Sequence, residues 1–161
     1  MWFAVRTRAR HESVAARFVE ARGIEPFLPV YPTRRQWSDR AKVVQMPLFD
    51  GYFFVRMDSG RFSPVLEAPG VINVVGFGGT PVPIPDEEIK AVRRLVASGL
   101  QVCPYPYLKV GDRVRITKGP LQHMEGILQR SRNQWRFVLT VEMLQRSVSV
   151  EVDSELVEPA R

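Results

Sequence analysis

The chain of 161 residues contains one cysteine, Cys103, and two histidines, His11 and His123. A lone thiol excludes an intrachain disulfide and suits a reducing compartment. The histidines fall in different segments, and neither has Cys, Asp or Glu at metal-ligand spacing, so neither a metal nor a cofactor is expected. Cys103 sits beside Pro104 with no histidine near it, which leaves a nucleophilic thiol without a base. No apolar run approaches the roughly 18 residues that a membrane span needs. The opening MWFAVRTRAR turns basic before any apolar core develops, unlike a secretory signal. Together these absences predict a cytoplasmic protein that is not an enzyme and does not enter a membrane.

Charge is present but unevenly placed. The net charge is +6, and residues 1–42 hold nine Lys/Arg against four Asp/Glu. A basic excess gathered in one region favours an anionic partner such as nucleic acid. The cations there are Arg6, Arg8, Arg10, Arg34, Arg35, Arg40 and Lys42, interleaved with Trp2 and Trp37. Cations that grip phosphates beside aromatics that stack on bases are the ingredients of single-strand binding; a solvated basic hairpin has the same composition.

Hydrophobic spacing divides the chain in two. Residues 2–7 alternate as a strand. HESVAARFVEAR repeats apolar residues at i,i+4 before Gly23, which predicts an amphipathic helix. IEPFLPVYP is extended and, with its prolines, suited to a sheet edge. TRRQWSDRAKVVQM reads as a basic hairpin turning at Ser38-Asp39. PDEEIKAVRRLVASG reads as a second helix whose acidic first turn complements the dipole, which explains Asp86-Glu87-Glu88 better than an acid pair does. Gly76-Phe77-Gly78-Gly79 has no helix directly after it and no Gly-Lys-Ser/Thr, so a sheet turn is expected rather than a phosphate loop. Two helices among short strands without βαβ alternation predict an α+β domain over residues 1–97, an antiparallel sheet with flanking helices. Residues 98–108 look like a linker, and residues 109–161 like a small all-β barrel or sandwich.

The stretch PLFDGYFFVRM breaks the alternation, with aromatics and aliphatics unbroken from Tyr52 to Val55. Phe53, Val55 and Met57 share one face; Tyr52, Phe54 and Arg56 share the other. Arg56 belongs near solvent, so Phe53, Val55 and Met57 are expected inside. Tyr52 and Phe54, joined by Phe49, are then expected as an exposed aromatic patch, unless another part of the domain covers them.

PLFDGYFFV followed by APGVINVVGFGGTPVPIPDEEI resembles the N-terminal domain signature of the NusG family of transcription elongation factors. KVGDRVRITKGPLQHMEGIL resembles the KOW motif that opens the family's C-terminal domain, and VEMLQRSVSVEVDSELVEP its end. The motifs come in the family's order and cover nearly the whole chain. The resemblance implies an N-terminal NGN domain and an SH3-like five-stranded KOW barrel. It implies a monomeric factor that binds the β′ clamp helices of RNA polymerase through Phe49, Tyr52 and Phe54. Reaching toward the β subunit, such a factor suppresses pausing and promotes processivity and antitermination. The cationic strand and hairpin would then lie near upstream or non-template DNA. Met143 and Leu144 correspond to the KOW loop that meets a small-subunit ribosomal protein or Rho. Asp50 stands where many members carry proline, which predicts a looser bend. Phe62-Ser63-Pro64 replaces the motif through which some members touch the β gate loop, and Leu144 replaces an aromatic of housekeeping members. The short N-terminus and RRQWSDR resemble specialised paralogues that promote readthrough of long operons. The alternating valines of RSVSVEV predict a stable barrel rather than one that switches fold. The alternative is an RNA-binding or ribosome-associated KOW protein that does not act on polymerase.

Overall fold

The computed structural model describes every residue except Ser38, Asp39, Ser59, Lys109 and Arg161, and the side chains of Gln36 and Trp37 are also outside the described part. The chain divides into two compact units, Met1–Ile89 and Lys90–Arg161.

The first unit opens with β1 (Trp2–Thr7) and α1 (Glu12–Ala21). Gly23, at φ +82°, ends α1 as the spacing predicts. Its N–H reaches Glu20 O at 3.0 Å and the Ile24 N–H reaches Val19 O at 3.1 Å, the paired bonds of a Schellman cap. The buried stripe of α1 is Ala15, Ala16 and Val19, while Val14 is turned out to solvent. Small residues here let the helix approach the sheet closely.

β2 (Glu25–Phe27), β3 (Val30–Trp37), β4 (Arg40–Pro47) and β5 (Tyr52–Arg56) follow. Next come the one-turn α2 (Ser63–Leu66), β6 (Val71–Val74), β7 (Gly76–Phe77) and β8 (Thr80–Pro81). An antiparallel sheet runs in the order β2-β5-β1-β6. β2 is an edge strand, which accommodates Pro26 as expected. β3 and β4 form a separate two-stranded ribbon, and the predicted Ser38-Asp39 turn lies outside the described residues. β7 and β8 form a tiny hairpin whose turn is Gly78-Gly79, both at positive φ, so the glycine run is a sheet turn.

The core beneath the sheet joins Phe3, Val5, Phe53 and Val55 to Ala15, Ala16 and Val19 of α1 and to Val65 of α2. The inward set Phe53/Val55 is as alternation predicts, with Met57 packed against it half-buried. α2 is a third helix that the sequence pattern does not announce, since four residues are too few for a helical period.

α3 (Asp86–Ala97) buries Ile89, Val92 and Leu95, and it crosses the division between the units. Within the second unit, the Arg94 guanidinium donates to Pro120 O at 3.0 Å and Gln122 O at 2.9 Å. The strands of this unit are β9 (Val102–Tyr105), β10 (Asp112–Ile116), β11 (Glu125–Ser131), β12 (Gln134–Val141), β13 (Arg146–Val152) and β14 (Val157–Pro159). They pair antiparallel in the order β14-β10-β11-β12-β13-β9. This is a six-stranded sheet, one strand more than the five expected, and the printed pairings do not close it into a ring.

The additional strand corrects the linker expectation. Val102–Tyr105 pairs with Val150–Ser147 of β13, so residues inside the 98–108 stretch are part of the second unit's sheet. Pro104 misled because proline is tolerated on an edge strand, which β9 is. Side chains secure the same segment. Thr140 Oγ1 donates to Leu108 O at 2.8 Å, the Leu108 N–H donates to Ser147 Oγ at 3.0 Å, and the Tyr107 hydroxyl donates to Glu142 at 3.0 Å. Phe137, Val148 and Val150 are fully buried at the centre of the sheet. A Cβ on Gly126 would fall 2.6 Å from the Phe137 ring, so only glycine fits beneath that ring.

Candidate functional site

Two surfaces of the first unit gather the residues singled out in the sequence. The first is built on the bend Phe49-Asp50-Gly51-Tyr52. The Tyr52 N–H returns to Phe49 O at 2.9 Å, and Gly51 takes φ +83°. Both sides of Gly51 are held. Its N–H donates to Glu12 Oε2 at 2.8 Å, and its carbonyl accepts from the Thr7 N–H at 2.8 Å. Glu12 is only 2% exposed at the start of α1. A looser bend, expected from aspartate in place of proline, is therefore not what forms, because hydrogen bonds from α1 and β1 fix it. Glu12→Ala would leave the Gly51 N–H without its acceptor, at a cost of about 1–3 kcal/mol. Glu12→Gln, which keeps an acceptor oxygen, should lose less, and urea unfolding of the two variants measures the difference.

The exposed aromatic patch is corrected by burial. Phe49 is 2% exposed and Phe54 0%. Phe54 stacks on Phe27 of β2 with centroids 5.9 Å apart and meets Phe49 edge-on at 5.7 Å; Trp2 meets Phe27 at 6.3 Å. β5 is thus covered on both faces, which explains its unbroken apolar run. Arg56 does lie in solvent, at the strand's end. Of the three aromatics only Tyr52 keeps a partial surface. It lines a cleft of about 440 Å³ with Arg6, Phe62, Leu66, Asn73 and Pro81. Leu66, at 52% exposed, belongs to this cleft, and Phe77, at 71%, is carried by the hairpin that contributes Gly76 and Gly79 to it. Sequence reasoning missed these apolar groups. The signal available was a phenylalanine inside a glycine turn, where a core residue has nothing to pack on.

The second surface is cationic. Arg34, Arg35, Arg40 and Lys42 are exposed on the β3–β4 ribbon. Arg35 is opposite Lys42 and Trp37 opposite Arg40, so Arg35, Lys42 and Arg40 occupy one pleat face, while Arg34, opposite Val43, lies on the other. The side chain of Trp37, expected among them as a stacking group, lies outside the described part. Arg8 and Arg10 are exposed in the loop before α1. A groove of about 460 Å³ brings Arg10 together with Arg35, beside Glu12, Asp50 and the apolar Leu28 and Met46. Arg6 is separate from both, in the Tyr52 cleft. The predicted cationic set is therefore split over three places rather than gathered in one.

In the second unit Met143 and Leu144 occupy a single 3-10 turn, Glu142–Leu144. Leu144 is 6% exposed and so belongs to the core, which corrects its expected place at a partner surface; Met143 is half-buried. Cys103 is half-buried against Ser149 Oγ at 3.7 Å, and the Arg136 guanidinium donates to that hydroxyl at 3.3 Å. His11 Nδ1 lies 3.0 Å from Ala9 O in the turn before α1. Among the described residues no three of His, Cys, Asp and Glu converge as a metal site, and no helix is long and apolar enough to cross a membrane.

The sequence model of the NusG family, described as "Transcription termination factor nusG", matches residues 1–93. The chain belongs to the NusG family. It is 29% identical over 175 aligned positions to the transcription termination/antitermination protein NusG of Thermus thermophilus, covering 94% of each chain. It is 33% identical over 129 positions to the protein of the same name from Deinococcus radiodurans, covering 68% of this chain and 67% of that one. Among solved structures it resembles one titled "Domain interaction in Thermotoga maritima NusG". The identity there is 27%, the TM-score 0.58, and the coverage 99% of this chain and 97% of the other. The mixed α/β architecture is thus NusG-like, and the chain is a family factor of transcription termination or antitermination.

Proposed function

We propose that this NusG-family chain acts on elongating RNA polymerase, docking at the β′ clamp helices through its first unit and suppressing pausing. The observation that supports this most is the Tyr52 cleft. An aromatic with partial exposure is held on a hydrogen-bonded bend, beside the exposed Leu66 and Phe77 and the cationic Arg6. Aromatic and apolar groups on a preorganised turn are the ordinary makings of a binding hot spot. In this reading Tyr52 makes the contact, while Phe49 and Phe54 serve from beneath by fixing the bend. The exposed cations of the ribbon and of the loop before α1 face upstream or non-template DNA. The second unit, read as the family's KOW barrel, recruits a further partner, a ribosomal protein or Rho, with Met143 at that contact. The chain works as a monomer in the cytoplasm.

The alternative, an RNA-binding KOW protein that leaves polymerase alone, draws on the exposed cations of the ribbon. Immobilised full-length chain challenged with purified core polymerase separates the two. Retention of polymerase at moderate salt supports the first reading. Retention of RNA without polymerase supports the second and sinks the first.

A further inference from the structure

The β11–β12 hairpin ends in a tip that the polymerase reading does not use. Ser131 pairs with Gln134 across Arg132 and Asn133, whose φ values of 49° and 67° make a tight two-residue turn. Residues 129–136 (QRSRNQWR) contain three arginines and no acid. Arg130 is cross-strand to Trp135, and its guanidinium lies 5.3 Å from the centroid of the indole. Arg130 and Arg132 are exposed and Trp135 is half-buried.

Folding alone accounts poorly for this arrangement. Trp135 lies on the pleat face of Phe137, one pair further toward the tip, and Phe137 is fully buried. On its other side Trp135 pairs with Val152, itself half-buried. The inner face of the sheet therefore runs past its core and ends in an indole that is not fully covered. A large aromatic left half open, with a guanidinium over it, is a planar pair of the kind on which a base stacks. Arg132, at the turn, stands where it can reach a phosphate flanking such a base.

We infer that the β11–β12 tip is a binding site for single-stranded nucleic acid, with Trp135 and Arg130 forming the stacking platform and Arg132 the phosphate contact. The site lies in the second unit and is independent of how the first unit meets polymerase. Stacking uses the face that every base presents, so the tip distinguishes single strands from duplex and has little sequence preference.

The test uses the full chain with Arg35→Gln and Lys42→Gln already in place, so that ribbon cations contribute little. Labelled oligouridylate and oligothymidylate are titrated by fluorescence anisotropy at several salt concentrations, with a duplex of equal length as competitor. Trp135→Leu should weaken binding of both single strands roughly tenfold. Arg130→Gln with Arg132→Gln, two exposed substitutions that leave the fold alone, should lower the slope of log affinity against log salt by about 1.4. Single strands should bind in preference to the duplex. Unchanged affinity and slope in the arginine double variant would overturn the inference, as would equal affinity for the duplex. Since no polymerase is present, neither result bears on the docking proposal.

Discussion

Phe54→Ala is expected to destabilise the first unit by about 3–5 kcal/mol, the usual cost of truncating a fully buried phenylalanine. The side chain is 0% exposed, stacked on Phe27 and edge-on to Phe49, so its loss opens a cavity that three strand and turn segments share. For a unit of this size such a loss lowers Tm by roughly 15 °C or more. Differential scanning calorimetry on the variant reads it directly. A surface phenylalanine would lose well under 1 kcal/mol, so a Tm within a few degrees of wild type would return Phe54 to the exposed patch that strand alternation predicts.

Tyr52→Ala is expected to do the reverse. Tyr52 keeps a partial surface and sits at the cleft, so its removal should leave the melting transition within a few degrees. A hot-spot tyrosine contributes about 2 kcal/mol or more, which weakens polymerase binding by roughly thirtyfold. Leu66→Ala, at the same cleft on a different element, should weaken binding severalfold through lost apolar area, at roughly 25 cal/mol per Å². Affinity measured against core polymerase, alongside a melt of each variant, separates contact from fold. If Tyr52→Ala binds polymerase as wild type does, the cleft is not the dock.

Much of the fold was legible because short-range periodicity decides it. The i,i+4 repeat and Gly23 delimit α1, and alternation correctly assigns Phe53 and Val55 to the core. What alternation cannot supply is the covering of the other face. Tyr52, Phe54 and Arg56 share that face, and Arg56 was a fair sign of solvent, yet only at the strand's end. Two residues back the same face is closed by Phe27, brought there by the β2–β5 pairing of Phe27 with Phe54. That pairing is a tertiary fact with no local signature. The bend shows the same limit. Proline would have stiffened it through the backbone, whereas Glu12, distant in sequence, does so through a buried hydrogen bond. The cations were legible as a group, but their division among ribbon, loop and cleft was not, since it depends on strand register. The Trp135 tip escaped notice because in sequence it is one tryptophan among strand residues; the half-open ring and the guanidinium above it exist only once β11 and β12 pair.

The central claim is that this chain acts on the elongating polymerase through the Tyr52 cleft. The most direct measurement is single-round transcription in vitro on a template with a defined pause site, comparing no factor, wild type and Tyr52→Ala. The expected result is a shortened pause with wild type and a pause near the factor-free lifetime with Tyr52→Ala at equal concentration. A pause lifetime that wild type leaves unchanged, or that both proteins shorten equally, would contradict it.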